Sequence, residues 1–392
     1  MKKHLLPSVL LVLLFLGAQN ASASIYGWVQ KANFGAQGRH RGTGIAIGNR
    51  GYMGLGHYNG AGPNIVMKDW WEYDPATNAW TQRADYIGNN GNGNYASLAL
   101  GMDQYGYVGG GQSGGDLNLY RYDPSTNSWT AMGAMPANFV NNEGFVLNNK
   151  GYAMSGSTLR EYDPATNSWT QKNAMPFSVW TWNSSFVVDG KGYVKSSNSL
   201  WEYKPLLDQW VIRASFPGLT SGGAAAFAQY NKGYIICGYA GSLALVQSEV
   251  WEFDPALNTW TQLPDFPGTS RRFCSGFTVN NRSYFGIGTN GTNFNDFWEF
   301  NGSDIYADLN SIDSDVQFSF GPNPSVDYIR FSSEELKDFS VRIYTMSGQF
   351  ITELEAQNSQ CELQRDGMPS GTYIFEVRQD DRSLLTKRFI FN

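Results

Sequence analysis

Trp71-Glu-Tyr-Asp-Pro-Ala-Thr-Asn-Ala-Trp80 decides the fold, because it returns. It recurs as Tyr120-Arg-Tyr-Asp-Pro-Ser-Thr-Asn-Ser-Trp129, Arg160-Glu-Tyr-Asp-Pro-Ala-Thr-Asn-Ser-Trp169, Trp201-Glu-Tyr-Lys-Pro-Leu-Leu-Asp-Gln-Trp210 and Trp251-Glu-Phe-Asp-Pro-Ala-Leu-Asn-Thr-Trp260. A sixth copy opens at Trp298-Glu-Phe-Asn301 and lacks its closing tryptophan. Upstream of each copy an apolar or small-residue strand runs into a polar turn, a tyrosine preceded by Gly or Ser, and another apolar strand. Those tyrosines are Tyr52, Tyr107, Tyr152, Tyr193, Tyr234 and Tyr284, spaced by 55, 45, 41, 41 and 50 residues.

Units of this length, each with four short strands, predict a six-bladed β-propeller. Within a unit, Asn148-Asn149-Lys150-Gly151 turns the first hairpin, since Asn and Gly tolerate positive φ. Asp-Pro-x-Thr-Asn turns the last one: Asp bonds the turn backbone, Pro presets φ and Asn accepts the left-handed position. One blade cannot bury both of its faces, so the blades must stack in a ring. Tyr26-Gly-Trp28-Val-Gln-Lys-Ala matches Trp80-Thr-Gln-Arg-Ala, and so residues 26–31 are expected to supply the strand that the sixth unit lacks.

Composition fits this reading. The 392 residues are 15% aromatic and 16% charged, with 44 Gly and 15 Pro, which suits many short strands and tight turns rather than disorder. The net charge is -6, and residues 1–23 hold two lysines and no acid, so the remainder is more negative still. A mildly acidic chain has no electrostatic footprint for nucleic acid or anionic lipid. Lys2-Lys3, the apolar run Leu5 to Leu16 and Ala21-Ser22-Ala23 read as a signal peptide over residues 1–23. No later stretch is long and apolar enough to span a bilayer. Cys237, Cys274 and Cys361 fit no metal or redox spacing, and a bridge between Cys237 and Cys274 is left open.

The repeats over residues 25–304 resemble kelch repeats, in the Gly-Tyr strand, the aromatic-Asp-Pro turn and the tryptophan at fixed distance after it. The double glycine of that family is clear only at Gly109-Gly110-Gly111. Residues 305–315, with three aspartates, read as an acidic linker after a propeller at 24–304. From 316 to 392 six short alternating stretches, Val316–Phe320, Tyr328–Phe331, Ser340–Tyr344, Phe350–Leu354, Thr372–Val377 and Lys387–Phe391, with turn signals at Ser347-Gly348 and Pro369-Ser370-Gly371, predict a small β-sandwich. This segment resembles the C-terminal sorting domain of the Bacteroidetes type IX secretion system in Pro322-Asn323-Pro324, Val341-x-Ile-Tyr344-x-x-x-Gly348, Gly371-Thr-Tyr373 and Lys387-Arg388. The resemblance implies a secreted or surface-displayed protein that engages that export machinery.

Chemistry is harder to find. His40 and His57 are the only histidines beyond residue 23. There is no G-x-S-x-G, no phosphate loop and no H-E-x-x-H, and no cofactor or metal is expected. The kelch resemblance places the start of each innermost strand, and the loop after the second strand, at one mouth of the central channel. That brings forward Arg39, His40 and Arg41, then Asn94 and Tyr95, Asn142 and Glu143, Trp180 and Trp182, and Arg271 and Arg272, with His57 and Tyr58 from the following loop of the first repeat. Aromatics beside arginines suit a polar ligand with an apolar face, and the Arg271-Arg272 pair favours a carboxylate. The loops after the second strand are long in repeats 1, 2, 5 and 6 and short in 3 and 4, so the mouth is expected to be walled on one side. The expected function is a monomeric secreted binding protein for a glycan or a protein. The alternative is a carbohydrate-processing enzyme resembling the six-bladed kelch sialic-acid mutarotases (N-acetylneuraminate epimerase), with Glu143 and Arg272 as the catalytic candidates.

Overall fold

The computed structural model describes residues 27–60, 62–114, 116–140, 144–179, 182–302, 318–323, 325–345, 350–379 and 382–391. The signal peptide, the acidic linker, Asn142, Glu143, Trp180 and the Ser347-Gly348 turn lie outside the described residues.

Six four-stranded antiparallel sheets form the blades. Their innermost strands are Thr43–Ile47, Leu98–Met102, Gly144–Leu147, Ser184–Val188, Ala225–Gln229 and Ser275–Val279, and each touches the next around a closed ring. Blade 6 is completed from the other end of the chain. Trp28–Gln30 pairs with Phe297–Phe300, with Trp28 opposite Phe300, the place Trp80 takes opposite Tyr73 in blade 1. Trp28 is 1% exposed and packs edge-on against Phe266 and Phe285. Lys31 adds an ion pair to Glu299 at 3.1 Å. Closure removes the open edge that Phe297–Phe300 would otherwise present.

The repeated phrases hold the blades together by repeated bonds. The tyrosine of the second strand donates to the glutamate opposite it on the third: Tyr52 to Glu72 at 2.6 Å, Tyr193 to Glu202 at 3.0 Å and Tyr234 to Glu252 at 2.8 Å. In the Asp-Pro turn the aspartate accepts from the N–H two residues on, as Asp74 does from Ala76 at 2.9 Å. The turn asparagines sit at positive φ, 52° at Asn78 and 51° at Asn127. Each also accepts from the backbone of the preceding blade, Asn78 from Ala32 and Asn127 from Ala84. The closing tryptophans donate to the same backbone segments, Trp80 to Ala32 and Trp129 to Ala84. One turn thus serves its own hairpin and the blade junction together.

The C-terminal residues form a sandwich of two sheets. One holds Phe318–Gly321, Tyr328–Ser333 and Gln360–Gln364; the other holds Phe350–Glu355, Ser340–Thr345, Gly371–Gln379 and Arg382–Phe391. Ile329, Phe331, Val341, Ile343, Phe375 and Phe389 fill the space between them. The strand Gln360–Gln364 is an addition to the six expected ones. The thiols of Cys237, Cys274 and Cys361 are unbonded, and burial pushes Cys237 up to about 12.

Candidate functional site: the channel mouth

Six inner strands converging on one axis leave room only for small side chains. Gly44, Ala99, Gly144, Ser185, Ala226 and Gly276, one per blade in the same register, line a cavity of about 190 Å³. Three residues before each of these the chain crosses the mouth. There Arg41, Ala96, Trp182, Gly223 and Phe273 all adopt positive φ, between 48° and 69°. That conformation turns each N–H toward one neighbouring blade and each C=O toward the other. Ala96 donates to Arg41, Arg41 to Phe273, Phe273 to Gly223 and Gly223 to Trp182, at 2.7 to 3.0 Å. Four of these five are not glycine, and positive φ in bulky residues is a strained choice that the girdle of bonds sustains.

Phe273 is the hub of the mouth. The guanidinium carbon of Arg41 lies 4.3 Å from its ring centre and that of Arg272 lies 5.4 Å away. Trp182 packs at 4.6 Å, His40 stacks at 5.8 Å and Tyr239 meets the ring edge-on at 5.9 Å. On one side His57 stacks on Tyr95 at 4.3 Å. Arg41 Nη1 donates to His57 Nε2 at 3.1 Å, and His40 Nδ1 lies 3.2 Å from the same nitrogen. An arginine is always a donor, so His57 Nε2 is the acceptor and its ring proton sits on Nδ1. That Nδ1 is buried without a partner. Burial first, and then neighbouring positive charge, holds both imidazoles neutral: His40 falls to about 3, with His57 and Arg41 adding to the effect, and His57 falls to about 4, with Arg41 adding.

Arg41 and Arg272 form no salt bridge among the described residues, and the Nε of each is buried without a partner. Burial lowers the affinity of both for their protons, and Arg272 adds to the effect at Arg41. Two guanidinium groups beside one aromatic ring with no carboxylate are an unbalanced charge in a poorly solvated place.

Three other expected rim residues do not reach the mouth. Arg39 is 1% exposed: it forks onto Asp69, at 2.9 Å for one arm, donates to the carbonyl of Leu55 at 3.1 Å and covers Phe34 at 5.0 Å. Arg271 repeats this with Asp296 at 2.5 and 2.7 Å, the carbonyl of Ile287 at 3.3 Å and Phe266 at 5.2 Å. Both are interior braces with every strong donor direction committed. Asn94 is likewise internal, accepting from Tyr95 and Ser113 and donating to Gly110. Tyr58 stands in the small hairpin His57–Tyr58/Ile65–Val66 that walls blade 1. His40, Arg41, His57, Tyr95, Trp182 and Arg272 do come together. Phe273 and Tyr239 join them, and the sequence singled out neither; the one available signal was Gly223, a glycine at the position equivalent to Phe273. In blades 3 and 4 only two residues separate the second and third strands, Ser155 to Thr158 and Ser196 to Ser199, whereas Gly54 to Trp70 and Ile236 to Val250 span long loops. The wall is therefore one-sided. No group of three or more potential metal ligands occurs among the described residues.

Residues 320–392 match the family described as "Secretion system C-terminal sorting domain". The protein is therefore exported by type IX secretion to the cell surface or the extracellular space. Among solved structures, the one titled "Structure of YjhT" is similar with a TM-score of 0.56 and 16% identity, over 68% of this chain and 96% of that one. That likeness and the six sheets make the N-terminal part a β-propeller. No match is found among curated proteins.

Proposed function

We propose that this is an exported binding protein whose propeller holds an extracellular ligand at the one-sided mouth. The observation that carries this is the cluster of Arg41, Arg272, Trp182 and Tyr239 around Phe273, in which polar hydrogens of both arginines and of His57 have no partner. A protein interior satisfies its buried polar groups, and a cluster that leaves several open next to aromatic faces has the make-up of a site awaiting a polar ligand with an apolar side. The cavity behind it, about 190 Å³, holds no more than a small group, so the ligand rests on the mouth and presents one end to it. Glycans and protein segments both fit that requirement. Screening the purified full chain on arrays of glycans and of peptides, beside Trp182→Ala, tests the reading: binding that Trp182→Ala abolishes supports it, and binding indifferent to Trp182→Ala places the ligand elsewhere and overturns it.

A further inference from the structure

We propose that the ligand end seated at the mouth is a carboxylate, held between Arg41 and Arg272; this rests on the mouth being the binding site. The protein treats its arginines in two ways. Arg39 and Arg271, each in a blade junction, have an aspartate apiece in forked contact. Arg41 and Arg272, two and one positions further along, are given none among the described residues, although both are partly buried and lie over the same Phe273 ring. Holding two guanidinium groups near one another, partly out of water, costs free energy unless an anion joins them, and among the described residues none supplies an anion there.

The chemistry of the surroundings narrows the anion. A carboxylate is flat, has two oxygens and matches a guanidinium fork in plane. One arginine can flank each oxygen, Arg41 through the donors that His57 leaves open, and the planar group lies against a flat aromatic floor. A sulfate or phosphate would bring a third oxygen toward Phe273, Trp182 and the edge of Tyr239, where aromatic carbon offers it nothing. His57 fits the same purpose. Its Nε2 is occupied by Arg41, which fixes the proton on Nδ1 and keeps the ring neutral beside the two cations. Being neutral, it adds no further charge, so the site's positive charge stays on the two arginines.

A carboxylate of this kind comes either from an acidic sugar or from a peptide C-terminus, and calorimetry on the full chain separates these sources. The probes are glucuronate, N-acetylneuraminate, their methyl esters, a glucose sulfate, and a short aromatic peptide with a free or amidated C-terminus. The expected result is that one carboxylate probe binds, that its ester or amide binds at least tenfold more weakly, and that Arg41→Met and Arg272→Met each remove about tenfold or more from the acid and much less from the ester. Selective binding of the two sugar acids assigns the glycan source, and of the free peptide the protein source. Equal binding of acid and ester, with both lost in Trp182→Ala, overturns the carboxylate and leaves the mouth standing as the site. Tighter binding of the sulfate also overturns it. Binding that survives Trp182→Ala and both arginine variants overturns the carboxylate and the mouth together. Thermal melts of each variant in buffer verify folding, since neither Arg41 nor Arg272 braces a blade junction.

Discussion

Blade junctions and channel mouth are built from the same materials to opposite ends. Each sets cations over aromatic rings: Arg39 over Phe34 and Arg271 over Phe266 in the junctions, Arg41 and Arg272 over Phe273 at the mouth. In the junctions the charge is neutralised by Asp69 or Asp296, and the indoles of Trp71 and Trp298 donate to those same aspartates at 2.8 Å. At the mouth no carboxylate among the described residues answers it. The charge in these two junctions is balanced without help from outside, so its cost is settled at folding. The mouth is left incomplete, and the girdle of left-handed residues holds it rigidly in that condition. The difference teaches that residue type alone does not mark a site: what marks this one is a pair of cations over one ring with no counter-charge among the described residues.

The largest effect should come from the junction that closes the ring. Trp28→Ala removes a buried indole from between Phe266, Phe285 and Phe300, a change of about 3–5 kcal/mol for an aromatic in a packed core. Trp182→Ala, at the half-exposed mouth, should cost under about 1 kcal/mol by comparison. Denaturant titration of the two variants measures this, and similar losses for both would erase the distinction drawn between junction and mouth. Next comes the pair of adjacent arginines. Arg271→Met leaves Asp296 without its buried partner and should cost about 3 kcal/mol. Arg272→Met breaks no ion pair and should leave the melting temperature unchanged or raise it. A larger loss in Arg272→Met than in Arg271→Met would reverse the comparison.

The imidazoles of the mouth make it sensitive to acid in a way the junctions are not. An unfolded chain titrates its histidines near 6.5, whereas His40 and His57 are held neutral in the folded mouth down to about 3 and about 4. Between those limits the unfolded state binds protons that the folded state refuses, so stability is intact above pH 6.5 and falls as the pH drops toward 4. The loss should be about 2 kcal/mol once some rearrangement around the pair is allowed for. The double variant His40→Asn, His57→Gln should show a shallower decline over the same window. If the two profiles run parallel, other groups cause the acid sensitivity.

Most of the propeller could be read in the sequence because the constraints on it are local and repeat. Asn78 must be left-handed, Asp74 must bond its own turn, Trp80 must reach the preceding blade, and each requirement recurs at a fixed offset. Gln360–Gln364 was not legible: only Cys361 and Leu363 turn inward on an edge strand, too short an alternation to stand out from polar surroundings. The site was legible as a location and illegible in detail. Aligning on the Gly-Tyr phrase put Arg39 and Arg271 at the rim together with Arg41 and Arg272, and a shift of one or two residues along an extended chain changes which face a side chain serves. The answer lay in Asp69 and Asp296, one residue before the third strand in blades 1 and 6, which are the two blades that carry an arginine brace.

The smallest effect tests a third arrangement, intermediate between junction and mouth. Lys195 enters the junction of blades 4 and 5 over Phe216 at 4.8 Å, where Arg39 and Arg271 stand in their own junctions. It is 2% exposed, donates to the carbonyl of Thr220 at 2.7 Å, and has no carboxylate among the described residues. Burial lowers it from 10.5 to about 8. Between pH 8 and 10.5 the unfolded chain keeps a proton that the folded chain gives up, so stability should rise with pH across that window, and at pH 7 the buried charge is a standing cost. Lys195→Met keeps the length and the contact with Phe216 and removes the charge, but it leaves the carbonyl of Thr220 without its donor. The two changes oppose each other, and the net gain at pH 7 should be only about 1 kcal/mol. The clearer signature is the slope: the rise between pH 8 and 10.5 should vanish in the variant. A variant that is less stable at pH 7 and keeps the slope would mean that Lys195 is as well compensated as Arg39 and Arg271, and that an unanswered cation inside this propeller is confined to the mouth.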